Sequence, residues 1–306
     1  METSTETTIV LGGVLLAVLL AGQERRNEWN LGYSSTPGMV HFGIEWSKRG
    51  SHSSHSGDVP LSAFRGLNPG QSGPAKFEYV ADAGTFVCQG RFSFGAGSGT
   101  YTFQPSPRFA GELQQLGYDA PRDNDQLFNM ALSQVTLDFA RGIRDAGLRV
   151  STDQLVELRI HGISLPYIRE TQLAGYRNRT PKDYVEMKIH GVSTEFLRAL
   201  KHAGYNLGSS QIVGLKIHGI SVEYIRDLDV YGLKPQPGDL VQMKIHGIDP
   251  EFIREARDLG YRFTAADLID LKIHGVNEAY LRNLKASGMR NLSAHQITQL
   301  KIHGVE

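Results

Sequence analysis

The sequence predicts an α+β protein, an N-terminal antiparallel β meander followed by an α-solenoid of two-helix repeats about 28 residues long. Three observations carry this. The string Leu/Met-Lys/Arg-Ile-His-Gly-Ile/Val recurs six times in the C-terminal half. A second string, an aromatic residue followed by Ile/Leu and Arg, lies between successive copies. Upstream, apolar residues alternate with polar ones over short runs separated by glycine-containing turns.

The chain opens on Ile9–Ala21, an uncharged apolar run of 13 residues followed by Arg25 and Arg26. As a helix it spans roughly 20 Å, short of a bilayer core of about 30 Å. Residues 1–23 are therefore expected to be a signal peptide or a membrane anchor, with membrane contact through residues 9–22. Glu2 and Glu6 before the run and the arginines after it suit an anchor with a cytoplasmic body, whereas the run's length suits export.

Residues 24–106 read as β. Val40, Phe42, Ile44 and Trp46 alternate with His41, Gly43 and Glu45. Phe77 and Tyr79 form a second run, Phe86, Cys88, Phe92 and Phe94 a third, and Tyr101 and Phe103 a fourth. Turns are expected at Asp82-Ala83-Gly84 and Gly95–Gly99, a polar excursion at 48–58, and a short helix at Pro60–Gly66. The meander is expected to have four to six strands.

Residues 107–306 read as the repeat array. The histidines His161, His190, His218, His246, His274 and His303 are 29, 28, 28, 28 and 29 residues apart. Each precedes a glycine: Gly162, Gly191, Gly219, Gly247, Gly275 and Gly304. A degenerate copy runs through Gln126–Met130 to Phe139-Ala140-Arg141, with Ser133 in the histidine position. Ser164, Ser193 and Ser221 fit N-caps of a first helix, and the cap-plus-partner pairs Ser151…Gln154, Thr264…Asp267 and Ser293…Gln296 open a second. Glycines end both helices. A hairpin of two such helices cannot bury both apolar stripes alone, so successive hairpins must stack.

Composition excludes little. Lys plus Arg and Asp plus Glu are both 32, so no net field steers the chain to nucleic acid. Cys88 is the single cysteine, which forbids an internal disulfide, and it is expected in the sheet core. The six repeat histidines invite a metal reading. However, two zinc-ligating nitrogens lie within about 4 Å of each other, and stacked helices sit about 8–10 Å apart. No metal or cofactor is expected, and the histidines are expected to bond a helix-end carbonyl or the next repeat. Glu195, Glu223 and Glu251, three residues before Arg198, Arg226 and Arg254, and Glu278, four before Arg282, predict pairing within the helix. The helix–Leu-x-Ile-x-Gly-Val–helix pattern is similar to the helix-hairpin-helix DNA module but carries one hairpin glycine where that module has two, so nucleic acid is disfavoured. No catalytic constellation stands out, and no enzymatic activity is expected.

The repeat Leu-Lys-Ile-His-Gly-Val with Glu-Tyr/Phe-Ile-Arg and Gly-Tyr resembles the short helical repeats appended to β-lactam-sensing membrane metallopeptidase regulators and related bacterial envelope proteins. Val59-Pro60-Leu61, Asp82–Phe86 and Gly97–Thr100 resemble the β module that precedes such repeats. The resemblance implies a bacterial protein associated with the inner membrane, its body periplasmic rather than cytoplasmic. It carries no activity, because no zinc-peptidase motif is present. The expected function is a structural subunit that braces a larger, membrane-embedded complex, extrinsic subunits of photosynthetic reaction-centre–antenna assemblies being one example. The alternative is an envelope sensor binding a peptide or glycan. Because the sequence stops mid-repeat, Ile297, Leu300, Lys301 and Ile302 are expected to touch a protein partner or a second copy.

Overall fold

The computed structural model describes residues 27–48 and 51–305. The expected anchor at residues 1–23 lies outside them. Among the described residues no helix is long and apolar enough to cross a membrane. The α+β architecture is present, among the described residues, as seven strands followed by fourteen helices. The strands are β1 (Glu28–Tyr33), β2 (Met39–Lys48), β3 (Ser51–Pro60), β4 (Phe64–Arg65), β5 (Gly73–Ala81), β6 (Gly84–Ser93) and β7 (Ala96–Pro105). The helices, each of nine residues, begin with α1 (Pro107–Gln115), α2 (Asn124–Leu132), α3 (Leu137–Asp145) and α4 (Thr152–Ile160). The array continues as α5 (Leu165–Leu173), α6 (Pro181–Ile189), α7 (Thr194–His202), α8 (Ser209–Ile217) and α9 (Val222–Val230). It ends with α10 (Pro237–Ile245), α11 (Pro250–Asp258), α12 (Ala265–Ile273), α13 (Glu278–Ala286) and α14 (Ala294–Ile302).

The sheet has the order β3-β2-β1-β7-β6-β5-β4, with every neighbour antiparallel. Phe42, Ile44, Phe77, Phe86 and Cys88 alternate onto one buried face, as their spacing predicts, and Trp29 of β1 joins them there. Burial pushes the Cys88 thiol up to about 12, so it remains an inert core thiol. Four expectations are corrected. The sheet has seven strands rather than four to six, because β1, the polar β3 and the short β4 also pair. The polar excursion is an edge strand, β3, paired with β2 from Met39↔Pro60 to Lys48↔Ser51. An edge strand needs only backbone groups to pair, so a run of Ser and His facing water is compatible with it. The turn after β6 is confined to Phe94 and Gly95, and Phe94 is fully exposed rather than part of the core alternation. Pro60–Gly66 forms a single 3-10 turn, Leu61–Ala63, and the short strand β4.

The chain divides into two compact units, residues 1–144 with 150–156, and residues 145–149 with 157–306. The first helices therefore belong with the sheet, although their sequence groups them with the array. Phe128 of α2 inserts its ring among Trp46, Phe86, Tyr101 and Phe103, at 5.3, 5.4, 6.3 and 5.3 Å between centroids. Asp82, in the β5–β6 turn, accepts the backbone N–H of Leu137 at the start of α3, at 2.9 Å.

In the second unit the helices form two layers. First helices touch first helices (α5, α7, α9, α11, α13) and second helices touch second helices (α6, α8, α10, α12, α14). The recurring string is the C-terminal cap of every second helix. In α6, Val192 N–H reaches Met187 C=O at 2.8 Å and Gly191 N–H reaches Lys188 C=O at 3.1 Å. This is the Schellman arrangement, with Gly191 at φ +67° and two buried apolar residues, Met187 and Val192, closing the motif. The same pair of bonds recurs at Gly162, Gly219, Gly247, Gly275 and Gly304. The degenerate copy uses Gln134, at φ +52°, in the glycine position. The two 29-residue spacings also have a local cause. Asn178 and Asn291, both with left-handed φ, are the added residues in the loops before α6 and α14.

The expected caps form. Ser164, Ser193 and Ser221 accept the N–H three residues on at 3.3, 3.1 and 3.1 Å. Thr264 and Asp267 cap each other reciprocally at 3.2 and 2.9 Å. Thr264→Ala is expected to cost about 1 kcal/mol, read as a lower denaturation midpoint at unchanged slope.

Candidate partner-binding surface

Schellman geometry accounts for the glycine and for the two apolar residues of each string. It leaves the Ile-His pair unexplained, because these two residues sit at the last helical position and at the cap. All six isoleucines (Ile160, Ile189, Ile217, Ile245, Ile273 and Ile302) are between 54% and 65% exposed. Isoleucine is only a middling helix former, and exposure of a β-branched apolar side chain gains nothing for folding. Other exposed positions drift between repeats: Leu173, His202, Val230, Asp258 and Ala286 occupy one equivalent place. Within the second unit, Ile189, Ile217, Ile245, Ile273 and Ile302 therefore form a ladder along the layer of second helices, one rung per repeat, at a helix spacing of about 8–10 Å.

The cations beside five of the six isoleucines lie against aromatic rings. Lys188, Lys216, Lys244, Lys272 and Lys301 lie over the rings of Tyr167, Phe196, Tyr224, Phe252 and Tyr280, at 4.9, 4.9, 5.2, 3.9 and 4.4 Å from the centroids. Tyr167 and Tyr224 donate their hydroxyls onward to the carbonyls of Val192 and Ile248, each at 2.9 Å. Lysine and aromatic residue thus join the two helices of one hairpin.

The expected ring bond of the histidines is seen at His274, whose Nδ1 lies 2.9 Å from Asp270 O. His190, His218 and His303 face solvent, while His161 and His246 are half-buried. Among the described residues no group of three or more His, Cys, Asp or Glu could hold a metal ion. His41 bonds Asp58 at 3.2 Å and His52 bonds Ser47 at 2.6 Å, which pins the β2–β3 hairpin.

The arginines correct the expected within-helix pairing. Arg198 meets Glu170 at 3.0 Å, Arg226 meets Glu195 at 2.9 Å, and Arg282 meets Glu255. Each pair bridges successive repeats, because the first helices pack side by side and bring these carboxylates within reach. Arg254 keeps its i−3 partner, Glu251, at 3.2 Å, as Arg141 of the degenerate copy does with Asp138 at 2.6 Å.

Of the residues expected at a partner contact, Ile297 is fully buried by its own chain. It shares with Ala294 and Thr298 the buried face of α14, and Thr298 donates to Asp270 at 2.8 Å. Leu300 is half-buried, Lys301 covers the Tyr280 ring, and Ile302 is the last rung of the ladder. The ladder as a whole was hidden in the sequence, where an apolar residue inside a helical repeat reads as core.

The β unit holds a separate cleft of about 410 Å³, lined by Trp46, Tyr101, Phe103, Phe128, Asn124 and Asn129 among others. The Tyr101 hydroxyl is buried there without a hydrogen-bond partner, and burial pushes its pKa upward. No family model, curated protein or solved structure matches the chain. The resemblance to envelope repeat proteins rests on the quoted strings alone.

Proposed function

We propose that this chain is a non-catalytic scaffold subunit that docks a larger protein assembly, membrane-embedded in the expected setting, along its isoleucine ladder. The observation that carries the reading is the repeated, outward-facing isoleucine, which the fold does not require. Burying the exposed part of one isoleucine contributes on the order of 1 kcal/mol. A row of them supplies what one rung cannot, and apolar rows of this kind mark interaction surfaces.

The test is detergent capture from native membranes with the full chain as bait. Stoichiometric co-purification of an integral complex is expected. Ile217→Glu combined with Ile245→Glu should weaken it by about a hundredfold, since the interface would have to bury two unpaired carboxylates. Both positions are exposed, so the helical circular dichroism of this variant should match that of the parent. A parent chain recovered free of any partner would sink the proposal.

The aromatic and amide lining of the cleft in the β unit favours a second reading, an envelope sensor that recognises a glycan. Oligosaccharide titration would then change the emission of Trp46, and a flat response would exclude it.

A further inference from the structure

The first helix of each repeat, counting the degenerate copy, places an arginine at one equivalent position. Arg141, Arg198, Arg226, Arg254 and Arg282 each meet a carboxylate: Asp138, Glu170, Glu195, Glu251 and Glu255. Arg169 has no such partner among the described residues, and it is exposed. It lines a cavity of about 530 Å³ formed by residues 146–148, the end of α5, and the loop Arg177–Arg179.

The other walls suit the same chemistry. Arg177 is exposed and likewise meets no carboxylate among the described residues. Arg179 is held rigidly: its terminal nitrogens donate to Ser209 Oγ at 3.1 Å and Leu207 O at 2.9 Å. Its Nε is buried without a partner. Gln172 donates to Ala146 O at 2.9 Å and so ties one wall of the cavity to the other. No Asp or Glu lines the space. The loop that supplies Arg177 and Arg179 is the one lengthened by Asn178, at φ +59°. Clefts further along the array differ. One contains Asp239, and its arginines Arg257 and Arg262 donate to backbone carbonyls. Another holds Lys234 as its one cation.

Three guanidinium groups line one cavity with no carboxylate among its walls; Asp183 interacts with Arg179 from outside the lining, while Arg169 and Arg177 repel one another until an anion enters. Guanidinium forks match the oxygens of a tetrahedral oxyanion. Leu173, 80% exposed at the rim, offers apolar contact to whatever carries that oxyanion. We propose that this cavity binds a phosphate group, carried either by a soluble phosphate or by a lipid headgroup. The site is separate from the isoleucine ladder and does not depend on it.

The test uses the full chain with no partner present, so its failure is distinct from failure of partner capture. Inorganic phosphate is titrated at constant ionic strength, and vesicles of phosphatidylcholine with or without phosphatidylglycerol are tested in parallel. Arg169→Gln should weaken binding by about tenfold, and Arg169→Gln with Arg177→Gln by more. Arg226→Gln, whose arginine is paired with Glu195, should leave binding unchanged. Saturable binding of phosphate with this arginine dependence supports a soluble ligand. The same dependence seen only with phosphatidylglycerol vesicles supports a headgroup. The apolar run Ile9–Ala21 is common to all variants, so only the arginine dependence counts. The proposal is overturned if neither probe binds saturably, or if Arg226→Gln costs as much as Arg169→Gln, since that is general charge attraction.

Discussion

Phe252→Ala is expected to destabilise the repeat array by about 4 kcal/mol, the usual range for emptying a fully buried aromatic site. Phe252 has no exposed surface, and its ring underlies the Lys272 ammonium at 3.9 Å. Lys272 is itself mostly buried and pairs with Glu278 at 3.3 Å. Removing the ring leaves a cavity and strips the lysine of its apolar and electrostatic support together. The equivalent positions hold tyrosine in three repeats, Tyr167, Tyr224 and Tyr280. Phe252→Tyr should therefore stay within about 1 kcal/mol of the parent. Because each repeat leans only on its neighbours, the damage should be local. Hydrogen exchange should show α11, its hairpin partner α12 and the neighbouring first helices α9 and α13 losing protection. Both tryptophans, Trp29 and Trp46, lie in the β unit, so their fluorescence transition should not move while the helical circular dichroism melts earlier. A joint shift of both probes would show that the units unfold as one.

The reverse pattern is expected for Gly99→Ala, at a cost of about 3 kcal/mol from overpacking. Gly99 of β7 pairs with Gly90 of β6 on one side and with Trp29 of β1 on the other. A Cβ at Gly99 would overlap the Gln89 carbonyl oxygen and the Gly90 Cα, both backbone atoms that cannot swing aside. The same carbonyl accepts the Trp29 indole N–H at 3.1 Å, so any shift also costs that bond. The tryptophan emission should move to the red and its unfolding midpoint should fall, with the helical signal retained. Gly32→Ala is the control, since a Cβ there meets nothing within 4 Å and should stay within about 0.5 kcal/mol of the parent.

These two sites differ in how far they could be read without coordinates. The aromatic of the first helix and the apolar residues of the recurring string announce a buried helical repeat by period alone, and Phe196, Leu197 and Leu200 are all buried as that period requires. Gly97 and Gly99 look like turn residues in a Gly/Ser-rich stretch. They are strand residues kept bare because the Phe92 ring lies against Gly97 and the Gln89–Gly90 backbone lies against Gly99, while Trp29 lies against Gly90. One of the two strand partners of Gly99, Trp29, is 70 residues away in the chain, a distance no local pattern spans.

The candidate surfaces divide the same way. The recurring isoleucine was visible within a repeated string, but its exposure was not. Helical period says which residues share a face; only the closed Schellman cap turns the last residue of the helix out to water. The arginine positions were equally plain, and within-helix pairing was the natural reading of Glu at i−3. Packing of adjacent first helices decided otherwise, since a flexible guanidinium takes whichever carboxylate the neighbouring repeat presents. That choice leaves Arg169 unmatched beside a cavity. The sequence by itself determined the repeat, its caps and its apolar stripes, because these depend on residues within one turn or one hairpin of each other. Tertiary structure alone decided the edge strand, the glycine platform under Trp29, the exposed ladder and the arginine cavity. Each of those depends on what a distant segment brings alongside.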